Sequence, residues 1–175
     1  SNWLPTDVKA AIGNSGDKLA KVVSAGGWYF KINTTRAPLD DVNCRKSLAY
    51  ALDYDSLVGT FQVTDDIAAG QKARGPIPQG MIGYSEDVPL VEYDLDKARD
   101  YLSKCKYSGD DLKVTINWIA EVPFEESWAL ILQQGAMAIG YDATVETLPW
   151  AVFTEQVTKP DTTPNLSIVA VQAQT

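Results

Sequence analysis

The sequence predicts a mixed α/β fold, a sheet flanked by helices, and three observations carry that prediction. Leu112, Val114, Ile116 and Trp118 alternate with Lys113, Thr115 and Asn117, the period of a half-buried strand. Trp128, Ile131, Leu132, Ala138 and Ile139 then mark the inner side of a helix that Gly140 ends. Ala143 to Leu148 reads as a second strand, so 112–148 forms a β-α-β unit with a right-handed crossover.

The other elements follow in chain order. Leu4 to Ala25 reads as one or two short helices, Asp7–Ile12 and Asp17–Val23, punctuated by Gly13 and Gly26-Gly27. Trp28 to Asn33, aromatic and β-branched, is a strand, and Pro38 stops the chain. Asp40 or Asp41 caps the next helix, whose apolar stripe runs through Cys44, Leu48 and Ala51 to Asp55. Val63 to Val91, rich in Gly and Pro, is a long irregular excursion of the kind that is functional or wraps a partner surface. Asp94 caps a helix with Leu95, Ala98, Leu102 and Cys105 on one face. A short helix, Trp150 to Thr158, leads through Pro160 and Pro164 to an apolar strand, Leu166 to Val171.

Composition excludes several function classes. A net charge of -8 with no basic cluster argues against nucleic acid. No apolar run approaches the roughly 20 residues that span a bilayer. Ser1 to Pro5 has neither the basic start nor the apolar stretch of a leader, and Ser1-Asn2 reads as a tag remnant. The count of His is 0, which removes the usual general base and the Ser-His-Asp and Cys-His arrangements, and no cofactor or metal site is expected. No phosphate-binding or dinucleotide-binding glycine motif is present.

Four segments, in order, carry a family resemblance: the strand ending in Asn33 with Pro38, Asp41 and Cys44 to Asp53; Gly75-Pro76-Ile77-Pro78; Tyr93 to Leu102 with Cys105-Lys106-Tyr107; and the β-α-β unit ending its helix in Ala138-Ile139-Gly140-Tyr141. Together they resemble the family 5 extracellular solute-binding proteins of the peptide and nickel ABC transporter class. The resemblance implies one lobe of a type II periplasmic-binding-protein fold, the second, C-terminal-type lobe, as a single domain over 1–175. It implies capture of a peptide or similar small solute outside the cytoplasm, in the periplasm or at the cell surface. The partners it implies are the solute, the membrane permease and the first lobe of the same chain. The family's Trp followed by an acidic stretch would begin near Gln172, where this sequence departs from the pattern.

Lobe closure places ligand contacts on loops where strands give way to helices. Trp118 and Glu121, between strand and helix, are the foremost ligand-binding candidates; Glu121 suits an ammonium or cation, and an aromatic neighbour suits stacking. Trp150 and Gln172 are further candidates, with the Trp150 ring expected to pack beneath its helix. Trp28 and Trp128 are expected in the core. Glu125-Glu126 and Asp65-Asp66 raise a carboxylate-based, glycoside-hydrolase-like alternative, but adjacent residues diverge, and helix N-terminal charge accounts for the glutamates. A protein-interaction module is the other alternative. Cys44 and Cys105 lie on apolar helix stripes, where two readings stand side by side: a disulfide, which the oxidising compartment of an exported protein favours, and two independent buried thiols.

Overall fold

The computed structural model describes residues 7–8, 10–11, 26–65 and 67–172. Residues 7, 8, 10 and 11 are helical, and the expected helix Asp17–Val23 lies outside the described residues. The chain divides into two compact units, one centred on Tyr54–Leu90 and the other made of Trp28–Asp53 and Val91–Ala170.

The larger unit is built on a four-stranded sheet. Its strands are β1 (Gly26–Ile32), β4 (Lys113–Ile119), β5 (Asp142–Leu148) and β6 (Leu166–Gln172), in the order β1-β6-β4-β5. β4 runs parallel to both β5 and β6. Asn33 N–H donates to Asn165 O at 2.9 Å, joining the end of β1 to the start of β6, so β1 is antiparallel and the sheet is mixed.

Helix α4 (Phe124–Ile139) connects β4 to β5, and α5 (Trp150–Gln156) lies on the return from β5 to β6. The two connections cross the sheet in opposite directions, so right-handed crossovers put them on opposite faces. That explains why β4 departs from simple alternation. Val114, Ile116 and Ile119 are buried, but so is Asn117, at 1% exposure, because a central parallel strand is covered on both sides.

Helices α1 (Val42–Ala51) and α3 (Leu95–Ser103) pack beside α4. Asp41 caps α1, accepting Asn43 N–H at 2.7 Å, and Asp94 caps α3 by accepting from Asp96 and Lys97. Helix α1 does not run on to Asp55 as its stripe suggested. Leu52 turns extended (φ -82, ψ 121), keeping its own side chain in the core, and a separate helix, α2 (Tyr54–Gly59), starts beyond it. The apolar stripe ends where Asp55 begins the polar surface.

The start of α1 and the end of α3 are clamped together. Cys44 and Cys105 form a disulfide with Cα atoms 5.2 Å apart. Asp41 Oδ2 accepts Lys106 N–H at 3.1 Å, Asn43 Nδ2 donates to Lys104 O at 3.1 Å, and Asp40 takes Lys106 Nζ at 2.7 Å. The Lys106 hydrogen bond holds the Asp40 carboxyl below its ordinary range, and the Lys106 and Asn43 amides do the same for Asp41.

The smaller unit contains α2 and a two-stranded antiparallel sheet of β2 (Gln62–Thr64) and β3 (Ile67–Ala68). After it the chain has no further helix or strand as far as Leu90. This excursion is tied by its own contacts: Gln71 to Gln79 at 2.7 Å, Arg74 Nη1 to Val88 O at 3.0 Å, and Lys72 to Asp55 at 3.0 Å.

Candidate functional site

Where parallel strands are joined by helical crossovers, ligands meet the loops at the carboxyl ends of the strands. In the larger unit that edge follows β4 and β5. Ala120 N–H still bonds Leu148 O at 2.9 Å; Val122 N–H then donates to Ile119 O at 2.8 Å, turning the chain before α4. Pro149, which has no N–H, stops β5, and α5 opens at Trp150. Ile119 and Leu148 are register partners, so the two segments leave the sheet at one level.

This register brings Glu121 and Trp150 together. Glu121 Oε2 accepts the Trp150 N–H at 2.9 Å, so a carboxylate from one crossover satisfies an orphan donor at the first turn of the other. Glu121 is exposed. Trp150 is 56% exposed rather than packed beneath its helix, and its ring stacks on Phe153 with centroids 6.0 Å apart and planes at 22°. Phe153, at 3% exposure, fills the inward position of that short helix, and the indole is left as an outer ledge.

Trp118 lies on β4 in register with Thr147 and is half-buried, so the strand's buried parity weakens at this end. Gln172 is the last residue of β6, described by its backbone alone. Trp128 is buried, and Trp28 is half-buried; they meet Phe124 in an edge-to-face cluster with centroids 5.0 to 5.8 Å apart.

The two adjacent glutamates separate. Glu126 is exposed at the start of α4, where helix N-terminal charge accounts for it. Glu125 is not a surface charge: it is 0% exposed, with Oε2 accepting Ile119 N–H at 2.9 Å and Oε1 without a protein partner. Burial pushes its carboxyl up to about 7, against the lowering effect of the Ile119 amide. Sequence reasoning missed this residue. Asp65 is exposed, and Asp66 lies outside the described residues. Glu125 and Glu126 therefore do not converge on a common point as hydrolysis of a glycoside requires.

Other features hold little chemistry. Asp41, Cys44 and Cys105 cluster within 4.8 Å, but the sulfurs are joined and both Asp41 oxygens accept backbone amides. A depression of about 430 Å³ lies at the opposite end of β4 and β5, mixing Arg36 and Lys113 with Asp110, Asp111 and Asp142. A second, of about 460 Å³, lies in the excursion of the smaller unit beside Lys72, Arg74 and Glu86. Among the described residues, no helix is long and apolar enough to cross a membrane.

Residues 1–172 match the family model described as bacterial extracellular solute-binding proteins, family 5 Middle. The chain is 28% identical over 156 residues to the dipeptide-binding protein of Escherichia coli, covering 85% of this chain and 28% of that protein. It is 23% identical over 168 residues to the oligopeptide-binding protein OppA of Bacillus subtilis, covering 90% of this chain and 30% of that protein. Among solved structures, the oligopeptide-binding protein AppA of Bacillus subtilis, in complex with a nonapeptide, superposes with a TM-score of 0.82 at 23% identity, over 98% of this chain and 36% of that one. The ABC transporter substrate-binding protein CtaP of Listeria monocytogenes gives 0.86 at 18% identity, over 97% and 34%. The chain thus spans about a third of the length of the proteins it matches.

Proposed function

The chain belongs to the bacterial extracellular solute-binding proteins of family 5, and from that premise we propose that it supplies one wall of the solute site of a binding protein serving an ABC importer. The solute is a peptide or a similar small molecule, and the chain works outside the cytoplasm together with a membrane permease and a further lobe of the whole protein. The observation that carries this reading is the Glu121–Trp150 edge. An exposed carboxylate is hydrogen-bonded to the backbone beside a 56% exposed indole, at the strand ends where such sheets take ligands. A negative group beside an aromatic face suits a solute that carries an ammonium group and apolar side chains.

A single wall leaves the solute half hydrated, so the loss of freedom on binding is offset only in part. Affinity in the millimolar range, about -4 kcal/mol, is the expectation for this chain alone. Amide chemical-shift mapping with short peptides tests it. Shifts centred on Ala120, Glu121 and Trp150 and lost in Glu121→Ala support the reading; binding that leaves these amides unmoved refutes it.

A further inference from the structure

The amides along β4 point alternately to its two neighbours. Ala120 N–H goes to β5 through Leu148 O, so the amides of Thr115, Asn117 and Ile119 point towards β6. β6 pairs with β4 over a short stretch, Ile116 with Leu166 and Asn117 with Ser167. Side chains take the amides on either side of it. Asn165 Oδ1 accepts Thr115 N–H at 3.2 Å at one end, and Glu125 Oε2 accepts Ile119 N–H at 2.9 Å at the other.

The Glu125 bond closes the end of the strand. Two residues further on stands Glu121, which holds Trp150. Glu125 therefore fixes the point from which the turn departs, and the turn in turn fixes the start of α5. Glu125 is fully buried with Oε1 unpartnered, and burial and the Ile119 amide are the two influences acting on its charge. The charged groups of the elements around that edge are Glu121 in the turn, Glu126 on α4, Glu146 on β5 and Glu155 on α5, with Lys113 on β4, Asp142 on β5 and Lys31 on β1 at the far ends of their strands. All of these groups are exposed, so water screens them from the buried carboxyl.

We propose that Glu125 is the positioning residue of the solute edge: as a neutral acid it fixes the end of β4 and the turn that aims Glu121 at Trp150, and on losing its proton it releases that turn. The neutral form is the one the site accommodates, because a buried carboxylate with one hydrogen bond and no cation is costly. The positive end of α4 favours the anion, yet burial prevails and pushes the group up to about 7. A folded-state value raised above the ordinary one stabilises the fold at low pH, and this contribution falls away as pH climbs from the ordinary carboxylate range through about 7. The edge is thus ordered on the acid side of neutrality and loosened on the alkaline side.

The proposal rests on the solute-wall reading for its purpose alone, and its test contains no solute, so each can fail without the other. In isotope-labelled chain, the Glu125 carboxyl carbon and the Ile119 and Trp150 amides are followed by NMR from about pH 5 to about 9, a range that spans the raised value and starts above the ordinary one. One shared midpoint near 7 is expected in all three signals. Glu125→Gln keeps an acceptor oxygen but cannot ionise, and it flattens both amide titrations. A carboxyl midpoint in the ordinary range overturns the proposal in the unaltered chain, with no variant needed. An Ile119 titration that Trp150 does not follow, or a Trp150 titration that survives Glu125→Gln, overturns it equally.

Discussion

Gly135→Ala tests the closest approach in the larger unit. Gly135 lies in the middle of α4, and a Cβ built there overlaps the carbonyl oxygen of Ala51, stands 2.9 Å from its carbon and 3.6 Å from its Cβ. Ala51 ends α1, where carbonyls have no partner within the helix. Considered as helix propensity alone, the substitution stabilises α4 by up to about 1 kcal/mol. The obstacle, however, is backbone and not the tip of a flexible side chain. Relief requires α1 and α4 to separate, loosening Ala51, Leu132 and Ala136, all at 2% exposure or less. Overpacking of this kind costs about 1–3 kcal/mol, sometimes more. The steric cost wins, with a net loss of about 1–2 kcal/mol. For a chain of this length that lowers the melting temperature by about 2–8 °C. Thermal unfolding by circular dichroism measures it, with Gln134→Ala, an exposed neighbour on the same helix, as the control. A Gly135→Ala melting temperature equal to or above that of the unaltered chain would refute the claim that the helices meet here through backbone.

Two further predictions concern the clamp and the sheet. Protein purified without reductant and alkylated in its native state shows no modified Cys44 or Cys105 by mass spectrometry, and reduction lowers its stability by about 4.3 kcal/mol on the chain-entropy model for the 61-residue separation; two alkylated thiols would contradict the pairing. Ser167, 1% exposed with an Oγ that has no protein partner, loses no hydrogen bond on replacement by Ala. Ser167→Ala is therefore neutral or stabilising by up to about 1 kcal/mol in urea unfolding, and a loss of more than about 1 kcal/mol counts against this account of the position.

Much of the fold was legible because its signals are local. Alternation found β4, Gly140 marked the end of α4 through its left-handed conformation (φ 112), and Asp94 capped α3 through its own side chain. The departures arise where tertiary structure decides. The strand near Trp28 was expected to include Asn33, but Asn33 leaves β1 and turns its amide to Pro160 O and Thr163 O, more than 120 residues along the chain. Asn165 acts likewise, reaching Ala37 O and the Thr115 amide. Nothing near either asparagine in sequence announces those partners. The burial of Asn117 has the same origin, since it depends on a second crossover covering the far face of β4.

The candidate site was legible to the same depth and no further. Knowing where β4 and β5 end is enough to name Glu121 and Trp150 separately, since each follows a strand at the edge where ligands meet such sheets. Their contact depends on register: a slip of one residue between Ile119 and Leu148 would turn each side chain of one strand to the opposite face relative to its neighbour. Glu125 and Glu126 make the point more sharply. They are the same residue type at consecutive positions, and both occupy the first turn of one helix, where the dipole favours a negative group. Consecutive helical residues point about 100° apart, so when α4 docks on the sheet it drives one glutamate into the interior and leaves the other in water. The helix can bury Glu125 because the Ile119 amide, which β6 does not reach, lies within hydrogen-bonding distance of it. The strand's missing partner and the helix's misplaced acid thus satisfy each other, and the turn between them carries Glu121.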